Sequence, residues 1–201
     1  MHAEPEAMDV RGQAERVARR SYGRLLALLA ARTSDVAAAE DALADAFASA
    51  LTQWQSGGVP DRPEAWLLTV ARRRLLDHMR RAGTRTAGQI HLKLIAEEIE
   101  AAMQSPDDIP DRRLALMCAC AHPSIEAGMR APLILQTVLG MNAAEIAAAF
   151  LIPPATMGQR LVRAKSRIKQ DEVAFELPNR QDLPARLDSV LNAIYAIYTK
   201  G

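Results

Sequence analysis

Aromatic side chains are scarce in this chain: three Phe, three Tyr and two Trp among 201 residues. A sheet held by aromatic cross-strand pairs is a poor fit to that composition. The core has to come from Ala, Leu, Ile, Val and Met, which suit closely packed helices. Cysteine is almost missing. Cys118 and Cys120 are too few for a disulfide framework and fit a reducing cytoplasm. Net charge is nearly absent: 25 Lys and Arg oppose 24 Asp and Glu, giving +1. There is no global basic field, so any affinity for nucleic acid must come from local clustering. No apolar run approaches membrane-spanning length, and no N-terminal stretch has the apolar core of a signal peptide. The expectation is a cytoplasmic protein with no membrane partner. Two-residue alternation and internal repeats are missing as well. The expected fold class is all-α: two small helical domains joined by a linker, the second containing a helix-turn-helix.

What is present is helical periodicity. Apolar residues recur at helical spacing over 13–31, from Val17 to Leu29, and Thr33, Ser34 and Asp35 then break the pattern. A second helix is expected over 35–55. Val36, Leu43, Phe47, Leu51 and Trp54 lie on its apolar side, and Glu40, Asp41 and Asp45 on the opposite side. Residues 56–60 form a loop through Gly57, Gly58 and Pro60. A third helix over 63–81 starts apolar and turns basic, with Arg72, Arg73, Arg74, Arg80 and Arg81. Residues 86–110 read as a linker, with a short helix possible over 90–103. Helices resume over 112–121 and 125–139, and Gly140 closes the latter as a C-cap. Residues 171–184 are linker-like. A last amphipathic helix over 183–199 carries Leu187, Val190, Leu191, Ile194, Tyr195 and Tyr198 on one side, with little chain left to pack on.

The stretch 142–169 organises the reading. Asn142 and Glu145 form a capping-box pair ahead of a short helix with Ile146, Ala147 and Phe150 on its apolar face. Pro153 and Pro154 stop that helix, and Pro154 suits the first turn of a new one. In the new helix Met157, Leu161, Ala164 and Ile168 make one buried stripe, while Gln159, Arg160, Arg163 and Arg167 fall elsewhere. Short helix, turn and basic helix make the pattern of a helix-turn-helix that reads a DNA major groove. The plain alternative is an amphipathic hairpin with a solvated charged face. Two details favour DNA: no acidic residue lies between Pro154 and Gln170, and the first helix is short.

Together the two halves resemble a bacterial sigma factor of the extracytoplasmic-function group. The residues that carry this are AEDALADAF at 39–47, PEAWLLTVAR at 63–72 and DHMRR at 77–81, followed by the helix-turn-helix. DRRL at 111–114, CACAHP at 118–123 and ATMGQRLVRAK at 155–165 are similar to the subgroup with a C-terminal helical-repeat extension. The resemblance implies a region 2-like domain over 1–85, a linker over 86–110 and a region 4-like domain over 111–172. Residues 173–201 would be only the start of the extension. Leu151 departs from the family, standing where Gly is usual in the helix-turn-helix turn.

The resemblance further implies a polymerase subunit rather than an enzyme, with core RNA polymerase and promoter DNA as partners. Control would come from the C-terminal extension or an anti-sigma partner. Glu40, Asp41 and Asp45 would meet polymerase. Gly57, Gly58, Arg62, Arg72, Arg73, Arg74, Arg80 and Arg81 would meet the melted promoter element. There the Arg residues neutralise phosphate and the loop forms the edge of a pocket for an unstacked base. Trp54 and Trp66 could stack on bases, but burial in the core is the favoured role. Pro154, Ala155, Thr156, Gln159, Arg160, Arg163 and Arg167 would meet the upstream element. Arg160 and Gln159 are the base-edge candidates, and Arg163, Lys165 and Arg167 would hold phosphates. A one-component helix-turn-helix regulator that never touches polymerase is the alternative. No cofactor is expected. Cys118, Cys120 and His122 have poor metal spacing, because residues two apart on a helix point to opposite sides.

Overall fold

The computed structural model describes residues 10–81 and 109–198; side chains 80, 81, 197 and 198 are outside that description. The short helix expected over 90–103 and most of the expected linker lie outside it too. The described residues form eight helices and no strand, so the fold is all-α. In chain order they are α1 (Val10–Thr33), α2 (Val36–Gly57), α3 (Pro63–Arg81), α4 (Arg113–Cys120), α5 (Ala127–Leu139), α6 (Ala143–Phe150), α7 (Pro154–Gln170) and α8 (Leu183–Tyr198). Contacts divide the chain into two compact units. One comprises Met1–Ser21 with Ala42–Ile109, the other Tyr22–Asp41 with Pro110–Gly201.

The first unit holds the start of α1, most of α2, and α3. Its core is Leu43, Ala46, Ala50, Trp54, Leu67, Leu68, Ala71 and Leu75. Small residues let these helices approach closely, as the aromatic-poor composition requires. Trp54 is buried, and its ring meets Trp66 edge-on at 5.5 Å. Ser21 donates a 3.0 Å hydrogen bond to Glu64, a carboxylate in the first turn of α3, where the helix dipole favours negative charge.

The second unit holds the rest of α1, the first turns of α2, and α4 to α8. Leu25, Leu26, Ala27, Leu28, Leu29 and Ala30 are all buried, so this part of α1 is apolar on every side. At the α1–α2 turn, Asp35 accepts a 3.0 Å bond from the Ala38 amide and so caps α2. Helices α4, α6, α7 and α8 all pack on α5. Gly140 ends α5 at φ 68, the left-handed cap expected of it.

Two sequence expectations need correction here. Residues 171–182 are irregular, as the linker-like reading has it, but Val173 and Phe175 are buried and anchor the segment. Helix α8 does not lack a surface to pack on: it packs on α4 and α5, with Val190 and Ala193 buried. Arg186 also donates a 2.7 Å bond to the Cys118 carbonyl at the end of α4. Leu191, Ile194 and Tyr195, grouped by periodicity on one side with Val190, are exposed.

Candidate nucleic-acid interface

The α6–α7 pair forms as its sequence directs. Asn142 accepts bonds from the amides of Ala144 and Glu145, and Glu145 accepts one from the Asn142 amide at 2.8 Å, completing the capping box. Ile146 and Ala147 are buried. The turn runs through Leu151 at φ 53, ψ 40. A residue with a Cβ therefore takes the left-handed conformation that Gly adopts more cheaply. Pro153 precedes α7 and Pro154 occupies its first turn.

On α7 the stripe Met157, Leu161, Ala164 and Ile168 is buried, as its spacing predicts. Gln159, Arg163 and Arg167 are exposed and Arg160 is half-buried. Arg160, Arg163 and Arg167 line a recess of about 220 Å³ together with Ser124, Glu126 and Met129. α7 itself carries no carboxylate; Asp171, just past its end, takes Arg167 at 2.8 Å. At the other end of α7, Pro154 and Ala155 are exposed and Thr156 is half-buried. This side can offer guanidinium forks and one amide to an anionic, hydrogen-bonding surface. Ser124, Glu126 and Met129 were missed from sequence. They belong to the α4–α5 turn and the start of α5, and only tertiary packing brings them beside α7.

Lys165 does not join that side. Its ammonium pairs with Glu40 at 2.5 Å, and both side chains are nearly buried. One turn on, Lys169 pairs with Asp35 at 2.7 Å. This corrects the phosphate-holding role expected of Lys165. It also corrects the picture of one solvated acidic side on α2. Asp41 and Asp45 are exposed, but Glu40 turns inward. Burial raises the Glu40 carboxyl above its ordinary range despite the pull of Lys165. Burial alone would also raise Asp35, but Lys169 and the Ala38 amide together bring it below.

In the first unit, Arg62, Arg73 and Arg74 meet around an open recess of about 610 Å³. Trp66, Gln53, Ser49 and Asp77 share its lining. Trp66 is half-buried rather than in the core, the role favoured for it, and Ser49, Gln53 and Asp77 were not expected at the site. Their signal was periodic: Ser49 and Gln53 are four apart on α2, and Trp66, Arg73 and Asp77 recur along one side of α3. Arg74 also lies 3.9 Å from Asp45, so a residue assigned to DNA and one assigned to polymerase are neighbours. Arg72 is half-buried and does not line the recess. Ser56 and Gly57 close α2 rather than opening the expected loop, and Gly58 follows; both glycines have open space where a Cβ would stand. The Arg80 and Arg81 side chains lie outside the described residues.

Cys118 and Cys120 are free and buried. Cys120 contacts the Thr137 hydroxyl at 3.5 Å, and His122 meets Ser124 at 2.7 Å. No helix among the described residues is long and apolar enough to cross a membrane.

Comparison with known proteins bears on the recess of the first unit. Residues 17–85 match the Sigma-70 region 2 family. That match spans about a third of the chain. This supports the sigma factor family, non-enzymatic transcription factors that take part in promoter recognition and RNA polymerase binding. Arg62, Arg73, Arg74 and Trp66 all fall inside the matched span, as do Glu40, Asp41 and Asp45. The chain is also similar to an uncharacterized protein of Rhizobium meliloti (strain 1021), 33% identical over 173 residues. That alignment covers 81% of this chain and 40% of the relative, so the chain spans well under half the length of the curated relative it matches. No solved structure gives a significant match.

Proposed function

We propose that this chain is a cytoplasmic promoter-specificity subunit of the extracytoplasmic-function group. In this reading it binds core RNA polymerase, melts and reads one promoter element with residues 1–85, and reads an upstream element as duplex with residues 111–172. Residues 86–110 link the two, and 173–201 begin a C-terminal extension. The carrying observation is the pairing of a Sigma-70 region 2 with a second cationic helix, α7, whose outward side bears no carboxylate.

In the matched region, Arg62, Arg73 and Arg74 neutralise phosphates of the opened strand. The recess beside Trp66 takes an unstacked base, and Gly57 and Gly58 allow its backbone to approach. Unstacking a base costs a few kcal/mol, so stacking on an indole has to offset it. Arg72, Arg80 and Arg81 extend the phosphate track. On α7, Arg160 and Gln159 read base edges, Arg163 and Arg167 hold phosphates, and Pro154, Ala155 and Thr156 meet the groove at the helix N-terminus. Asp41 and Asp45, with Glu40 once it is uncovered, form the acidic contact with polymerase. Co-purification of the chain with core polymerase tests this reading. Retention of core at micromolar concentration or tighter is expected, and no retention would end it.

A further inference from the structure

Helix α7 uses its cations in two directions. Arg160, Arg163 and Arg167 line the outward recess, while Lys165 pairs with Glu40 in the first turns of α2 and Lys169 with Asp35 at its cap. We propose that the Lys165–Glu40 and Lys169–Asp35 pairs are an autoinhibitory latch that covers a polymerase-binding carboxylate until α7 and α2 separate. The proposal rests on the polymerase-contact role given to Glu40 above.

Four observations carry it. Glu40 and Lys165 keep only 14% and 11% of their side-chain surface exposed, so a partner protein cannot reach that carboxylate while the pair holds. Asp41 and Asp45 on the same helix are exposed, so the masking falls on one carboxylate of the three. The second oxygen of Glu40 is shielded and finds no hydrogen-bond partner among the described residues. A half-satisfied buried charge is a poor stabiliser. The latch is therefore closed but incompletely satisfied, which suits a contact meant to open. Lys169 is 64% exposed, which leaves the outer pair open to solvent and to competing ions. A binding-competent form that is only fractionally populated weakens apparent affinity by that fraction. Opening the latch must then tighten polymerase binding, although neither lysine contacts polymerase.

The experiment compares core-polymerase affinity of the full chain with that of Lys169→Glu and of Lys165→Glu/Lys169→Glu. Each reversal places like charges against α2. Expected is a gain of at least threefold in affinity, larger in the double variant, with faster hydrogen exchange at the Ala39 and Glu40 amides. A folded double variant that binds core no better than the unaltered chain overturns the latch. If the double variant does not fold, Lys169→Glu alone decides, since its side chain lies mostly in solvent. If no form binds core, the polymerase reading falls. Exchange at Ala39 and Glu40 then judges the contact by itself: unchanged exchange overturns it, and faster exchange upholds it.

Discussion

The Cβ that Gly23 lacks would stand 2.1 Å from the carbonyl oxygen of Val138. Helix α1 therefore approaches the end of α5 backbone to backbone, and no larger residue fits without moving the main chain. In an ordinary helix interior, Gly→Ala gains about 0.5–1 kcal/mol. Here the clash outweighs that gain, because overpacking a closed site costs about 1–3 kcal/mol and a backbone oxygen cannot swing aside. Gly23→Ala is expected to lower the thermal unfolding midpoint by several degrees. A midpoint raised by the substitution would mean that α1 and α5 are not this close in solution.

Leu151 makes the opposite case. It holds φ 53 with 94% of its surface exposed, so it contributes strain and no burial. The left-handed conformation costs an L-residue about 1–2 kcal/mol. The added chain entropy of Gly takes back part of what relief would give. Leu151→Gly should raise stability by roughly 0.5–1 kcal/mol, read as a higher midpoint in thermal or urea unfolding. A loss of stability would show that the side chain has a partner that the exposed geometry does not suggest.

Burial pushes the Cys120 thiol up to about 12. A folded pKa above the unfolded value means the folded state binds its proton more tightly. The stabilising contribution is full below the unfolded value near 9 and is lost as pH rises from there toward 12. Alkylation of the folded chain at pH 8 should leave Cys120 unmodified, and urea should release it. Rapid labelling at pH 8 without denaturant would contradict the buried placement.

The arginines on α7 should separate by role. Arg163→Ala is expected to weaken binding to every duplex alike and to reduce the salt slope by roughly one, as loss of one phosphate contact does. Arg160→Ala should cost about 1–3 kcal/mol on the preferred duplex and relax discrimination at one base pair. Filter binding or anisotropy across a salt series measures both. Identical effects from the two substitutions would remove the distinction between base and phosphate contacts.

Local signals carried much of this structure. Asn142 and Glu145 announce a capping box because both partners lie within four residues. Met157, Leu161, Ala164 and Ile168 announce a buried stripe because helical geometry alone puts them on one side. What escaped depends on distant chain. Nothing near Glu40 shows that Lys165 will meet it 125 residues later. The burial of Val173 and Phe175 is likewise decided by packing that no short window reveals. In α8, periodicity showed an amphipathic helix but grouped the exposed Leu191, Ile194 and Tyr195 with Val190; the side that packs on α4 and α5 buries Val190 and Ala193, which no short window reveals. The recess around Trp66 combines faces of two helices, so each half was visible and their meeting was not.

Transcription reconstituted from core polymerase, this chain and a library of promoter fragments tests the promoter-specificity assignment most directly. Discrete start sites that require the chain, share an upstream element, and weaken and lose discrimination at one base pair with Arg160→Ala are the expected result. Equal transcription with and without the chain, or binding to a palindromic duplex as a dimer with no need of core, would contradict it.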